Sequence, residues 1–309
     1  MKKWFSIIFF CLLLAGGAVL CVIRWQAWFG MPEEPAWRGD TLSYVFPFFD
    51  QDTLSPERQD ILVLGDIHNR LTSADYDTLA ARVPQAEAIA QAGDWMDRGQ
   101  EYYYQQLLHE WMNSALYGMP VIVCPGNHEY TKSIPKELSS VWHKAFTVPL
   151  NGPATVPGVS YYVDFPHLRF IVLDTNPLDR VVYLTRTLTW LRGVMDSANG
   201  RFVVAMMHHP VLSPAKGRFN PLIYAAFRHT LGEADLVIAG HDHSYMRQRN
   251  FVVLNTAGKS KEQHKHLFAQ VKDSAPGYGV LTVEPQQLQF TVYRWDNGAV
   301  IDSLYVRHD

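Results

Sequence analysis

The chain has 309 residues, with 27 Lys and Arg against 30 Asp and Glu, a formal net charge of -3. So balanced a charge gives no basic surface for nucleic acid and no acidic tail. With 48% hydrophobic and 13% aromatic residues the chain can bury one large core, and its three cysteines, Cys11, Cys21 and Cys124, offer no disulfide framework.

Lys2 and Lys3 precede residues 4–23, an apolar stretch without a charge. Such a stretch is long enough to cross a hydrocarbon layer of about 30 Å as a helix. Residues 1–30 are therefore expected to form a single-pass membrane anchor. The alternative is a signal segment cleaved near Gly16-Gly17-Ala18, although the apolar run continues from Val19 to Ile23. The lysine pair before the span, against Arg24 followed by Glu33 and Glu34 after it, favours a periplasmic or extracellular position for the rest of the chain. Trp25, Trp28 and Phe29 suit a membrane interface. Residues 31–58, with Pro32, Pro35, Pro47 and Pro56, read as a linker to one domain over 59–309.

That domain opens with a wholly apolar run at 61–64, as expected of a strand buried on both faces. A helix over 74–82 follows, then a strand at 88–92, a helix over 102–117 closed by Gly118, a strand at 121–124 and a helix over 136–146. Paired strands are expected at 159–165 and 168–173, a helix at 188–197, a strand at 202–207, a helix at 222–231 and a strand at 236–239. Beyond His243 the pattern turns to strands alone, at 251–255, 279–283, 288–295 and 300–306. The alternation of strands and helices predicts an α/β fold with parallel strands.

Five groups of polar residues each follow one of the apolar runs. They are Gly65-Asp66-Ile67-His68-Asn69, Gly93-Asp94-Trp95-Met96-Asp97-Arg98-Gly99, Gly126-Asn127-His128-Glu129, Met207-His208-His209-Pro210 and Gly240-His241-Asp242-His243. Carboxylate, imidazole and amide donors without cysteine suit a divalent Mn, Fe, Co, Ni or Zn ion. Asp94 has two oxygens and can bridge a pair of cations, which is the arrangement that clamps the attacking and leaving oxygens of a phosphoryl displacement.

The order of the five groups resembles the calcineurin-like metallophosphoesterase superfamily. That resemblance covers about 59–307 and implies a two-sheet sandwich flanked by helices, the four-layer α/β/β/α arrangement, with all five groups on one rim. It further implies that Asp66, His68 and His243 hold one divalent ion and Asn127, His208 and His241 a second, with Asp94 bridging. Metal-bound hydroxide would attack the phosphate ester directly, with no covalent nucleophile. His128 would stabilise the phosphate or protonate the leaving oxygen, with Asp97 orienting its imidazole and Arg98 offering a bidentate fork to a phosphate oxygen. The His-x-Pro spacing selects His208 over His209, which strand alternation would turn away from the ions. Asp242 is turned away for the same reason.

The subfamily signals are mixed. Gly-Asp-Trp-Met-Asp-Arg-Gly and Gly-Asn-His-Glu look like protein Ser/Thr phosphatases and dinucleotide polyphosphate hydrolases, whereas Val172-Leu173-Asp174-Thr175 and Gly240-His241-Asp242-His243 look like the purple-acid-phosphatase branch. The purple enzymes carry a tyrosine ligand where this chain has Asp97, so an iron-tyrosinate colour is not expected. Phosphomonoester, phosphodiester and pyrophosphate substrates all fit. Trp95, Tyr130, Lys216, Arg218 and Phe219 are candidate substrate contacts, and His264-Lys265-His266 is a further cleft candidate. The competing function, a non-catalytic membrane-anchored binder of phosphorylated ligands, has no need for so complete a donor set. A zinc hydrolase of amides or lactams does not fit the Asp94 and Asn127 pattern.

Overall fold

The computed structural model describes residues 55–132, 136–154, 158–177, 181–212, 221–259 and 269–308. The expected membrane span, the 214–219 segment with Lys216, Arg218 and Phe219, and the His264-Lys265-His266 tract lie outside them. Among the described residues no helix is long and apolar enough to cross a membrane.

The strands are β1 (Gln59–Leu64), β2 (Ala88–Gln91), β3 (Val121–Val123), β4 (Tyr161–Asp164), β5 (Leu168–Leu173), β6 (Phe202–Met207), β7 (Leu236–Ala239), β8 (Tyr245–Gln248), β9 (Phe251–Val253), β10 (Val271–Asp273), β11 (Gly277–Glu284), β12 (Gln287–Arg294) and β13 (Val300–Arg307). The helices are α1 (Ser73–Arg82), α2 (Glu101–Met112), α3 (Ser140–Ala145), α4 (Val181–Asp196) and α5 (Pro221–Gly232). One sheet has the order β13-β12-β11-β1-β2-β3 and the other β10-β8-β9-β7-β6-β5-β4. In the first sheet β1, β2 and β3 run parallel, with β3 at the edge, and in the second β5, β6, β7 and β9 run parallel. Antiparallel strands complete both sheets.

The central strands read as unbroken apolar runs because both their faces are covered. Side chains alternate across a strand, and in β1 Ile61 and Val63 enter the core between the sheets while Leu62 and Leu64 face α1, α2 and α3. In β6, Phe202, Val204 and Met206 point between the sheets, and Val203, Ala205 and Met207 pack beneath α4 and α5. Three apolar layers thus bind two sheets and two sets of helices. Phe170, fully buried between the sheets, is a typical contributor: truncating such a residue to Ala costs about 3–5 kcal/mol. Thr72 caps α1 in a reciprocal box with Asp75, a device worth about 1 kcal/mol.

Several boundaries differ from the sequence pattern. The helix expected over 136–146 shrinks to α3 because Tyr130 pairs with Leu138 and Ser139 N–H donates to the Glu129 carbonyl, after which the Ser139 hydroxyl caps Val141 N–H. α2 stops at Met112, and the next turn is caught by Asp77 of α1, which accepts from Ala115 N–H at 2.6 Å. α4 begins at Val181, seven residues earlier than expected from its apolar period. Burial of Tyr183 and Thr187 there overrides the poor helix propensity of a β-branched run. β8 and β10 are short strands that the pattern did not show.

Candidate metal centre

Five of the parallel strands deliver a polar group just past the carboxyl end: Asp66 and His68 after β1, Asp94 after β2, Asn127 after β3, His208 after β6, and His241 and His243 after β7. The loops are sewn together by backbone hydrogen bonds, from Asp66 N–H to Gly93 O at 3.2 Å, His68 N–H to Asp94 O at 3.0 Å and Gly240 N–H to His208 O at 3.1 Å. The bends are tight enough that Asp66, His68, Asp94, His241 and His243 all have φ between 51 and 72°. Left-handed backbone is uncommon outside glycine and costs roughly 1–3 kcal/mol at each residue, and it concentrates at functional sites. Gly126 and Gly240 make the close approach possible. A Cβ at Gly126 would sit 2.1 Å from Asp94 Oδ1, and one at Gly240 would sit 2.7 Å from Asp66 Oδ2.

All seven residues expected to ligate metal come together. Asp66, His68, Asp94 and His243 are buried and offer ligand atoms within 4.8 Å of one another. His68 Nε2 lies 3.1 Å from His243 Nε2 and 3.7 Å from Asp94 Oδ2. On the other side His208 Nε2 lies 3.1 Å from Asn127 Oδ1, 3.2 Å from His241 Nδ1 and 3.3 Å from the same Asp94 Oδ2. Asp94 therefore stands between two groups of donors. His243 Nδ1–H donates to Lys259 O at 3.0 Å and His208 Nδ1–H to Ala92 O at 3.0 Å. Carbonyls can only accept, so the neutral rings present lone pairs at Nε2. Lone pairs converging on carboxylate and amide oxygens repel unless protons or cations lie among them, and this donor set fits divalent ions.

The electrostatics point the same way. Burial disfavours charge on Asp94, yet His208, His128 and His68 hold its carboxyl well below the usual range. Burial and the neighbouring Asp94 charge raise Asp66. Burial pushes His68 down to about 4. It also works against charge on His208, but Asp94 and Asp66 override it and lift His208 to about 9. A cation must then displace the His208 proton at neutral pH, and affinity falls as pH drops below that value. Titration of metal-free protein with Zn between about pH 6 and pH 8 is expected to show affinity rising about tenfold or more per unit. A pH-independent affinity over that range would contradict the assignment of His208.

His128 stands beside this centre, its side chain 36% exposed and its Nε2 3.9 Å from Asp94 Oδ2. Its backbone N–H donates to Asp94 Oδ1 at 2.9 Å. The structure corrects the expected role of Asp97: His128 Nδ1 meets the Asp97 backbone carbonyl, whereas the Asp97 carboxylate faces His68 Nδ1 at 3.5 Å. The turn of the Asp94 loop, with Asp97 N–H held by Asn69 Oδ1 at 2.7 Å, directs the side chain there. Arg98 is exposed on the same loop. Trp95 and Tyr130 are not substrate contacts: Trp95 is buried and donates to Tyr76 Oη, and Tyr130 is buried against Asp174. Asp242 is buried. His209 is not turned away, because β6 ends at Met207 and strand alternation ends with it; its ring packs 4.5 Å from that of His241.

Glu129 is a site residue that the motif reading left without a role. Buried and pushed up to about 7 by burial and the Asp94 charge, it accepts from Asp94 N–H and Met96 N–H at 3.0 Å and from Gly126 N–H at 2.7 Å. One carboxylate thus locks the Asp94 loop to the Asn127 loop. Its place directly after His128 was the available signal.

The model of the family described as calcineurin-like phosphoesterase matches residues 60–245. The chain belongs to the calcineurin-like phosphoesterase family. No curated protein matches it in sequence. Among solved structures, purple acid phosphatase PPD1 from yellow lupin (Lupinus luteus) seeds is similar at 16% identity and a TM-score of 0.66, over 84% of this chain and 55% of that one. GAP50, titled the anchor in the inner membrane complex of Plasmodium, is similar at 14% identity and 0.60, over 82% and 90%. PhoD gives 14% and 0.55, over 82% and 70%. At such identities these likenesses establish the family's fold, and the chain spans just over half the lupin enzyme's length.

Proposed function

We propose that this calcineurin-like phosphoesterase hydrolyses phosphate esters with two divalent cations, Mn, Fe or Zn foremost and Co or Ni also compatible. The carrying observation is Asp94 Oδ2, which lies 3.7 Å from His68 Nε2 on one side and 3.3 Å from His208 Nε2 on the other. In this reading Asp66, His68 and His243 hold one ion, Asn127, His208 and His241 the other, and Asp94 both. When bound, such a pair supplies Lewis-acid polarisation of the phosphoryl group and activation of the attacking water.

The chain's own residues divide the remaining work. His128 Nδ1–H donates to the Asp97 carbonyl, so its Nε2 carries a proton only in the imidazolium form. In that form it can give the proton to a departing alkoxide. His128→Ala is expected to leave metal content unchanged and to lower kcat by about 10²- to 10⁴-fold, least for esters with good leaving groups. Asp97→Asn acts elsewhere: by disturbing the carboxylate that faces His68 Nδ1, it should weaken metal binding by about 10- to 100-fold. Metal analysis and kinetics on a leaving-group series check both. Equal metal loss in the two variants would reverse the assignment. In this reading Arg98, exposed on the same loop, offers its fork to a phosphate oxygen.

We further propose that residues 1–30 anchor the enzyme in a membrane with the catalytic domain periplasmic or extracellular, on the strength of the Lys2 and Lys3 asymmetry. A reporter fused after Asp309 that is active only in the cytoplasm would overturn this. The purified domain should be assayed against phosphomonoesters, phosphodiesters and pyrophosphates, since the substrate class is set by parts of the cleft beyond the donor set. Absence of hydrolysis with every one of these metals would favour the non-catalytic binder.

A further inference from the structure

We infer that Arg70 binds a second phosphate group of the substrate, so that the preferred substrates are small phosphate esters carrying two phosphates; the inference rests on the phosphoesterase reading of the site. Arg70 closes the turn that carries His68, its backbone N–H donating to Ile67 O at 3.1 Å. Its side chain then crosses to a loop 187 residues later, where Nη1–H donates to Ala257 O at 3.1 Å. Ala257 N–H in turn donates to Asp66 O at 3.4 Å. The guanidinium is therefore tied to the backbone that positions Asp66 and His68, and it remains exposed.

A carbonyl occupies one guanidinium N–H and neutralises none of the charge. Among the described residues no carboxylate pairs with Arg70 and no other acceptor meets it. The partly exposed Asp97 carboxylate faces His68 Nδ1 at 3.5 Å instead. Arg70 Nε–H and Nη2–H thus stand side by side for two oxygens of one phosphate, the fork that such a group fits.

The surroundings add charge of the same sign. Lys259 is exposed two residues beyond Ala257, and its carbonyl accepts from His243 Nδ1–H at 3.0 Å. Among the described residues it too has no carboxylate partner. Two cations on one loop junction repel each other, and an anion bound there relieves that repulsion. Both are tied to the half of the centre formed by Asp66, His68 and His243, whereas Arg98 stands on the loop after β2. Arg98 is left to the phosphoryl group at the centre. In hydrolysis the oxygen of water bonds to that phosphorus, the ester P–O bond breaks, and the departing alcohol takes a proton from His128 and carries the second phosphate away.

The test uses full-length protein loaded with Mn, and compares wild type, Arg70→Gln and Arg70→Lys on propyl phosphate and on propane-1,3-diol bisphosphate. Metal per chain, kcat and KM are measured. Wild type is expected to prefer the bisphosphate by about tenfold or more in kcat/KM, through KM, the worth of a charge-assisted hydrogen bond. Arg70→Gln should lose that preference while its metal content and its kinetics on propyl phosphate stay those of wild type. Arg70→Lys should recover part of the preference, because it keeps the charge without the fork. A wild type without the preference, an Arg70→Gln variant that retains it, an equal loss on both esters, or loss of metal from Arg70→Gln would each overturn the inference. If the Mn-loaded wild type hydrolyses neither these esters nor an aryl phosphate, the phosphoesterase reading fails, and calorimetric affinities for the same two compounds decide the role of Arg70.

Discussion

Asp94→Asn is expected to release both cations and lower hydrolysis by about 10³-fold or more, because Lewis-acid stabilisation is worth several kcal/mol and each 1.4 kcal/mol is tenfold in rate. The substitution is clean for a physical reason. Asp94 has φ 53°, a conformation that Asn tolerates nearly as well, and Oδ1 can still accept from His128 N–H. What is lost is the charge shared by the two halves, the same charge that lifts His208 to about 9. Elemental analysis beside thermal unfolding checks this. An unchanged melting curve of the metal-free protein with metal gone is the expected pairing, and two tightly held metals per chain in the variant would contradict it.

Gly126→Ala should be as damaging by a different route. Its added methyl would lie 2.1 Å from Asp94 Oδ1 and 2.3 Å from Asp94 N, neither of which is the far end of a flexible side chain. The Asn127 loop must move away, breaking the grip of Glu129 on Gly126 N–H and withdrawing Asn127 and His128 together. Overpacking of this sort costs about 1–3 kcal/mol in stability, and catalysis should fall below detection. Gly193→Ala is the control: among the described residues nothing beyond its own stretch of helix lies within 4 Å of an added Cβ, and it sits inside α4, where Ala is favoured over Gly by about 1 kcal/mol. Chemical unfolding of the two variants should give opposite signs. A Gly126→Ala protein with wild-type stability and metal content would show that the two loops are not locked.

Much of this architecture is legible in the chain because its central strands are buried on both sides and flagged by unbroken Val, Ile and Leu runs. The candidate ligands follow because they stand one to four residues past those runs, at Asp66, Asp94, Asn127, His208 and His241. Side-chain direction within loops is harder. Whether Asp97 meets His128 or His68 depends on a bend fixed by Asn69, 28 residues earlier, and no local pattern encodes it. The clamp of Glu129 was hidden for a similar reason, since its partners are backbone N–H groups that every residue type but proline carries. Short elements such as α3 and β8 depend on pairing with distant segments and leave little periodic trace.

The most direct measurement titrates metal-stripped protein with Mn while following hydrolysis of an aryl phosphate. Two donor groups sharing Asp94 predict that activity is absent without metal, rises with added cation and saturates at two equivalents per chain. Activity that is full in the stripped protein, or that saturates at one equivalent with no second binding event, would contradict the account.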